Sequence, residues 1–216
     1  MKSYVVIGLG RFGTQIATRL YELGEEVLVI DRQLSLINKL SDRVTRAVAG
    51  DAKDRDILKS LGVSDCDCAI VALGSDLAAS VLITMNLISL HVPHIICKAH
   101  DDTHREILEK LGADQVIIPE RLIADRIANS LASPNILEYI ELSNEYGIVE
   151  ATAPKSWVGK SLKDLKIREA FGVTVIGVKQ GDDISVSPSG SYEVTDQATL
   201  VLLGDYKSLN AIRSLK

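Results

Sequence analysis

A glycine-rich turn stands between an apolar run and a helical pattern at the start of the chain. Residues 4–7 are apolar, the turn Gly8-Leu9-Gly10-Arg11-Phe12-Gly13 has the spacing G-x-G-x-x-G, and a second apolar run ends at Asp31. In a strand–turn–helix unit, the first glycine allows the tight turn, the second lets the backbone approach a phosphate and the third lets the helix pack on the strand. The amides at the helix start then face the anion, and the downstream acid accepts hydrogen bonds from ribose hydroxyls. This order of elements predicts a nucleotide site rather than a purely structural turn.

Strand and helix patterns alternate up to residue 133. The predicted strands are 2–7, 26–31, 44–49, 67–72, 95–98 and 115–118, and the predicted helices are 11–23, 33–42, 54–61, 76–91 and 102–111. The strands are apolar without alternation, as in parallel strands covered on both faces. Right-handed crossovers then give an α/β fold, a Rossmann-like doubly wound sheet of six parallel strands, in a domain of residues 1–133.

The pattern changes after Pro119. A helix over 120–132 has apolar positions that no following strand would bury, and Ser133-Pro134 ends it, so we expect it to connect two domains and to pack against another subunit. The pattern over residues 134–216 predicts a small α+β domain, which begins with an amphipathic segment at 135–142 and ends with a helix at 206–215. Its predicted strands are 147–153, 173–180, 183–187 and 199–204. A core of this size is marginal alone, which favours pairing with a second copy.

Composition excludes several classes of protein. The 216 residues are 46% hydrophobic and 25% charged, with a net charge of −5 and no basic cluster, which argues against a nucleic-acid partner. The most apolar stretch, 80–97, contains polar residues and predicts a buried helix and strand rather than a membrane span. Three cysteines without a C-x-x-C spacing favour a reducing cytoplasm.

Further candidate ligands lie where the predicted strands end, because ligands of open parallel sheets bind outside the carboxyl ends of the strands. Arg11 could reach a phosphate or be a solvated surface residue, and Arg32 beside Asp31 could accommodate a 2′-phosphate, although we favour free ribose hydroxyls. Asp51 could border the nucleotide, cap the next helix, or do both. The full predicted set is Gly8, Gly10, Arg11, Phe12, Gly13, Asp31, Arg32, Asp51, Ala52, Ala72, Leu73, Gly74 and Lys98.

The remaining acidic, histidine and cysteine residues offer two candidate metal sites and bear on one class of enzyme. Glu120 could simply stabilise the first turn of its helix or could face a cation near the phosphates. Cys97, His100 and His104 are a weaker zinc candidate without a fourth ligand. All four histidines precede residue 105 and no tyrosine has a lysine four residues on, so we predict that the chain is not an enzyme, with a small NAD-dependent oxidoreductase as the least favoured alternative.

These motifs together resemble the RCK family, the regulators of potassium conductance, and within it the cytosolic regulatory subunits of Ktr-type potassium-uptake systems. The resemblance covers the glycine turn, Asp31, the loop of residues 50–52, residues 111–114, Pro119-Glu120 and the small C-terminal domain. It implies a nucleotide-sensing subunit at the cytoplasmic face of the membrane that binds ATP or ADP and controls a membrane potassium-translocating subunit. An NAD(H)-binding redox sensor with the same role is the alternative.

The resemblance also implies an assembly and further ligands. Dimers are expected to form an octameric ring, Arg11 matches the arginine that reaches the terminal phosphate, and Glu120 matches an acid that places a divalent or monovalent cation between paired subunits. The C-terminal domain is similar to one that binds cyclic di-AMP. The matching positions are Ile167, Arg168, Ile176 and Pro188, where core packing is the alternative for the two isoleucines.

Overall fold

The structure is a computed structural model that describes residues 1–131, 136–143, 145–181 and 183–213. It divides into two compact units, residues 1–120 and 121–216. The predicted domain boundary, between residues 133 and 134, lies outside the described residues and stays a prediction.

The first unit is the predicted parallel α/β sheet. Its strands are β1 (Ser3–Ile7), β2 (Glu26–Asp31), β3 (Arg46–Ala49), β4 (Cys68–Val71), β5 (Ile95–Lys98) and β6 (Gln115–Ile117). Its helices are α1 (Arg11–Glu22), α2 (Leu34–Leu40), α3 (Arg55–Ser60), α4 (Leu77–Ser89) and α5 (Asp102–Leu111). The strand order is β3-β2-β1-β4-β5-β6, and each neighbouring pair is parallel. The predicted fold class is confirmed.

Helices cover both faces of this sheet. Along β1, Val5 and Ile7 belong to the core on one face, whereas Val6 belongs to the core on the other face. All four residues of β4 are buried. Since consecutive strand side chains point to opposite faces, a strand covered on both sides must be apolar at every position, as the sequence indicated.

The second unit contains an antiparallel sheet with one more strand than predicted. Its elements are β7 (Ile136–Glu141), β8 (Tyr146–Thr152), α7 (Leu162–Leu165), α8 (Ile167–Phe171), β9 (Thr174–Gln180), β10 (Asp183–Val186), β11 (Thr199–Asp205) and α9 (Tyr206–Arg213). The strand order is β10-β9-β11-β8-β7. The predicted turn after Gln180 is confirmed as a hairpin, because Gln180 pairs with Asp183.

The additional strand, β7, lies in the segment predicted only as amphipathic. Its register against β8 shifts between Ile136 and Glu138. Because a bulge inserts an extra residue, it breaks the two-residue alternation by which a strand is recognised in sequence. The predicted first residue of that segment, Asn135, lies outside the described residues.

Inward side chains of the second sheet and its last helix form a separate core. Val149 and Ala151 of β8 and Leu200 and Leu202 of β11 are buried there together with Leu209 of α9. The short helices α7 and α8 were not predicted, and their few residues give too little periodicity for recognition.

The connector helix, α6 (Pro119–Leu131), forms where predicted. Its apolar side chains Leu122, Ile123, Ile127 and Leu131 are each more than half exposed in this chain. The predicted stop at Ser133-Pro134 lies outside the described residues. An apolar stripe of this kind is typical of a helix covered by a partner.

Candidate functional site

A cavity of about 560 Å³ lies at the carboxyl ends of the central strands of the parallel sheet. The segments that follow β1, β2, β3 and β4 all line this cavity. The predicted residues that line it are Gly8, Gly10, Asp31, Arg32, Asp51, Ala52, Ala72 and Leu73. This is the position at which open parallel sheets bind their ligands.

The three glycines of the turn have different surroundings. Gly8 has φ +94°, and a Cβ on it would lie 2.8 Å from Leu73 Cδ2. A Cβ on Gly13 would lie 1.9 Å from the carbonyl oxygen of Gly8, so only glycine lets α1 approach β1 this closely. A Cβ on Gly10 would meet no atom within 4 Å. Folding alone therefore accounts for Gly8 and Gly13, whereas Gly10 faces open space next to the cavity.

The first turn of α1 has no side-chain cap. Gly10 is its N-cap and no acid follows in the first turn. Helices α3, α4 and α5 begin differently, because Asp54, Asp76 and Asp101 each accept a hydrogen bond from an amide of the first turn. The amides at the start of α1 keep their donors and the positive end of the helix dipole for a ligand. The glycine turn and the first turn of α1, together called the cradle below, therefore fit a phosphate group.

Asp31 connects the end of β2 to the glycine turn. Its Oδ2 accepts a hydrogen bond from the Leu9 amide at 2.7 Å, and its Oδ1 accepts one from the Gln33 amide at 2.7 Å. A carboxylate offers about four acceptor positions, so both oxygens retain capacity for ribose hydroxyls. Asp31 thus fixes the shape of the loop in addition to any contact with a sugar.

Of the two roles considered for Asp51, capping of the third helix is wrong. The N-cap of α3 is Asp54, whose Oδ1 accepts from the Asp56 amide at 2.9 Å. Asp51 instead accepts from the Lys53 amide at 3.1 Å, and its Oδ2 lies 3.5 Å from Lys53 Nζ. The helix begins later than the sequence suggested, which leaves Asp51 in the loop that borders the cavity.

The cavity lining includes side chains that the candidate set omitted. Gln33 and Leu36 from the start of α2, Lys53 from the loop after β3, and Ser75 and Asp76 before α4 all belong to it. Lys53 lies two residues after Asp51, and Ser75 and Asp76 lie in the loop that follows β4, so their positions after strand ends were the available signals. The side chains of α2 face the site only because of how that helix packs.

A second group of predicted residues lies together beside the glycine turn and outside the cavity lining. Lys98 Nζ donates to Glu120 Oε1 at 2.6 Å and lies 6.0 Å from the centroid of the Phe12 ring. A Cβ on Gly74 would lie 3.4 Å from the same Nζ. The hydrogen bond from Lys98, with a smaller contribution from the charge of Arg11, lowers the pKa of Glu120. Arg11 itself is exposed at the first residue of α1.

The weak zinc candidate does not form a site. Cys97 Sγ lies 3.3 Å from Thr84 Oγ1, and burial raises the pKa of the Cys97 thiol to about 11. His100 Nδ1 lies 2.9 Å from His104 Nδ1, so the two rings share a hydrogen bond. Among the described residues, no three histidine, cysteine or acidic side chains converge in a way that could hold a metal.

The second unit has a groove of about 380 Å³. Of the four residues matched to a second ligand, Ile167, Arg168 and Pro188 line it, and Ile176 does not. Ile167 is buried in the core of this unit, so packing also explains that residue. Lys163 and Lys166 line the groove next to Arg168 and make it basic.

Within the ranges that the structure describes, no helix has both the length and the apolar character needed to cross a bilayer.

Comparison with protein families matches the chain twice. The TrkA-N domain family matches residues 4–119, and the TrkA-C domain family matches residues 148–216. The Ktr system potassium uptake protein A of Bacillus subtilis is 39% identical over 208 residues, which covers 96% of this chain and 94% of that protein. The Ktr system potassium uptake protein C of the same organism is 38% identical over 209 residues, covering 97% and 95%.

Solved structures share the fold over most or nearly all of the chain. The RCK domain of GsuK is 23% identical with a TM-score of 0.71, over 99% of this chain and 47% of that one. The GsuK channel bound to NAD is 22% identical with a TM-score of 0.67, over 99% and 39%. GsuK bound to ADP matches 62% of this chain and 35% of its own, with 20% identity and a TM-score of 0.53. The chain thus spans less than half the length of these solved chains.

Proposed function

The chain belongs to the RCK family, and from this premise we propose that it is a nucleotide-binding regulatory subunit of a potassium-uptake system. One observation carries the proposal: the uncapped start of α1, at a glycine whose missing Cβ would meet no protein atom, adjoins a cavity of nucleotide size. The regulated partner is a membrane subunit that translocates potassium, and the chain acts at the cytoplasmic face of the membrane.

The ligand pair we propose is ATP and ADP. The two nucleotides share adenosine and two phosphates, so only contacts to the last phosphate can distinguish them. We propose that Arg11, exposed at the first residue of α1, supplies such a contact. Binding of ADP by GsuK supports the assignment by analogy.

A single contact is too weak to switch the protein. A hydrogen bond to a charged group contributes about 1.5–3 kcal/mol, whereas moving an equilibrium from 1:99 to 99:1 takes about 5.5 kcal/mol. Several copies that act together supply the difference. We therefore propose dimers assembled into an octameric ring, in which the exposed apolar stripe of α6 packs against a second copy.

NAD or NADH is the second candidate ligand. GsuK has been solved with NAD, and Asp31 retains acceptor capacity suited to the free ribose hydroxyls that NAD and ATP share. In this version the subunit senses redox state and controls the same membrane partner. An oxidoreductase is the least favoured alternative, because all four histidines precede residue 105 and no tyrosine has a lysine four residues on.

Two further ligands belong to the proposal. The Glu120 side chain is 65% exposed although it pairs with Lys98, so a divalent or monovalent cation between paired subunits can reach the carboxylate and compete with the lysine. The basic groove lined by Arg168 and Pro188 is the proposed site for cyclic di-AMP.

Calorimetric titration of the natural chain with ATP, ADP, NAD⁺ and NADH separates the two versions. We expect measurable affinity for both adenine nucleotides. The variant Arg11→Ala should keep ADP affinity within about twofold and lose at least about tenfold in ATP affinity. Equal losses of ATP and ADP affinity in Arg11→Ala would show that Arg11 does not distinguish the last phosphate. Tight binding of NAD(H) alone would replace the ATP/ADP sensor by the NAD(H) sensor.

A further inference from the structure

The ammonium of Lys98 lies where three segments of the first unit meet. Lys98 is the last residue of β5, its neighbour Gly74 is in the loop after β4, and Phe12 is in the first turn of α1. Its hydrogen-bond acceptor, Glu120, is in the first turn of α6. The ammonium of Lys98 therefore connects the edge of the cradle to the start of the connector helix.

The lysine side chain is closely confined. It is only 14% exposed, whereas the Glu120 side chain is 65% exposed. A Cβ on Gly74 would lie 3.4 Å from Lys98 Nζ and 3.6 Å from Lys98 Cε. The missing side chain at Gly74 gives the lysine its path across the loop whose other members, Leu73 and Ser75, line the cavity.

The ammonium has donors left for a ligand. A lysine carries three N–H donors, and among the hydrogen bonds that the described residues make, Lys98 Nζ donates to Glu120 Oε1 alone. A partly desolvated ammonium with one exposed carboxylate as its partner attracts a further anion strongly. Lys98 Nζ lies 6.0 Å from the ring centroid of Phe12, which belongs to the uncapped first turn of α1.

We propose that Lys98 is a positioning residue that exchanges Glu120 for a nucleotide phosphate and so reports the charge of the ligand to α6. This inference rests on the proposed function. With phosphate in the cradle, the ammonium turns to it and the carboxylate of Glu120 is released. Without nucleotide, Lys98 holds Glu120 as the structure shows.

The exchange works in both directions, because coupling between two sites is reciprocal. Whatever takes Glu120 from Lys98, such as a cation, frees the ammonium and strengthens phosphate binding. Conversely, phosphate binding makes Glu120 a better ligand for a cation. The carboxylate of Glu120 is therefore paired with Lys98 when the site is empty and free of Lys98 when the site holds phosphate.

A double-mutant cycle in calorimetry with ADP and ATP tests the exchange, in buffer with EDTA so that no divalent cation competes. Lys98→Met keeps the length of the side chain and removes its charge, and we expect at least about a tenfold loss of affinity. Glu120→Gln frees the lysine, and we expect a gain of about threefold to fivefold. In the Lys98→Met background the same glutamate substitution should change affinity by less than about twofold. If Lys98 has only a structural role, Glu120→Gln will not raise nucleotide affinity more in the natural chain than in the Lys98→Met background.

The matched control is Glu109→Gln, which removes an acid paired with Arg105 on α5 and should leave affinity unchanged. Thermal unfolding verifies that each variant folds. If Lys98→Met does not fold, the contrast between Glu120→Gln and Glu109→Gln decides alone, and equal effects overturn the exchange. Equal effects of Glu120→Gln in the two lysine backgrounds also overturn the exchange while leaving the proposed function intact. Absence of any nucleotide binding to the natural chain overturns both.

Discussion

Gly10 and Gly13 belong to the same turn, and alanine at the two positions should damage different properties. Gly10 has φ −66° and ψ −175°, which alanine adopts freely, and its Cβ would meet no atom within 4 Å. Gly13 has room for no Cβ at all, because the carbonyl oxygen of Gly8 would lie 1.9 Å away and Ala72 Cβ 3.0 Å away.

The contacts give the expected magnitudes. The Gly13→Ala methyl must move by about 1.4 Å to reach an ordinary carbon–oxygen contact. Overpacking costs about 1–3 kcal/mol, and the upper end applies because the obstacle is backbone. The better helix propensity of alanine offsets about 1 kcal/mol. The net loss of about 2 kcal/mol lowers the melting temperature by about 8 °C. For Gly10→Ala the loss of a preferred cap and the stiffer unfolded chain nearly cancel, so stability should stay within about 1 kcal/mol.

Thermal unfolding without ligand and calorimetric titration with ADP measure the two effects separately. Gly10→Ala should melt near the natural chain and lose at least about tenfold in ADP affinity, because its methyl occupies the space kept for a phosphate. Gly24→Ala, at φ +85° with open space around it, is the control for backbone strain alone. Equal melting temperatures for the Gly10 and Gly13 variants, or normal ADP binding by Gly10→Ala, would refute this division of roles.

Three further predictions concern other regions. Burial, followed by the charge of His100, lowers the pKa of His104 below its usual 6.5, so the unfolded chain takes up this proton first. The free energy of unfolding should therefore fall as pH drops below about 6.5, and His104→Gln should flatten that dependence in urea titrations at pH 7.5 and 5.5. Ile127→Glu, on the exposed stripe of α6, should lower the molecular mass in light scattering, and an unchanged mass would separate the stripe from assembly. Arg168→Ala should weaken cyclic di-AMP binding by at least about tenfold in calorimetry, whereas Lys179→Ala, a cation outside the groove that pairs with Glu150, should not.

The first unit was predictable from sequence because its signals are local and repeated. The inner strands of the parallel sheet carry apolar runs without alternation, as at residues 27–30 and 68–71, and glycine spacing marks the first turn. Gly24, Gly62 and Gly112 all have positive φ after helical segments, where a left-handed cap favours glycine. Here the pattern along the chain and the packing of the sheet require the same residues.

The predictions that failed concern residues whose roles depend on tertiary contacts rather than on the local sequence. β7 was not predicted because its bulge hides the alternation of a strand, and Asp54 fills the capping role that was one of two alternatives for Asp51. The hydrogen bond between Lys98 and Glu120 joins residues 22 positions apart. No periodicity records such a pair, because it depends on how β5 and α6 are placed at one edge of the sheet.

The two backbone amides held by Asp31 have a consequence for attempts to change the sugar that this chain accepts. A 2′-phosphorylated ribose would ordinarily be admitted by replacing this acid with a small neutral residue and relying on Arg32. Here that replacement also unties Leu9 and Gln33, so the loop would loosen as its selectivity changed. Cofactor swapping in this chain therefore needs a substitute anchor for the turn before the arginine can be put to use.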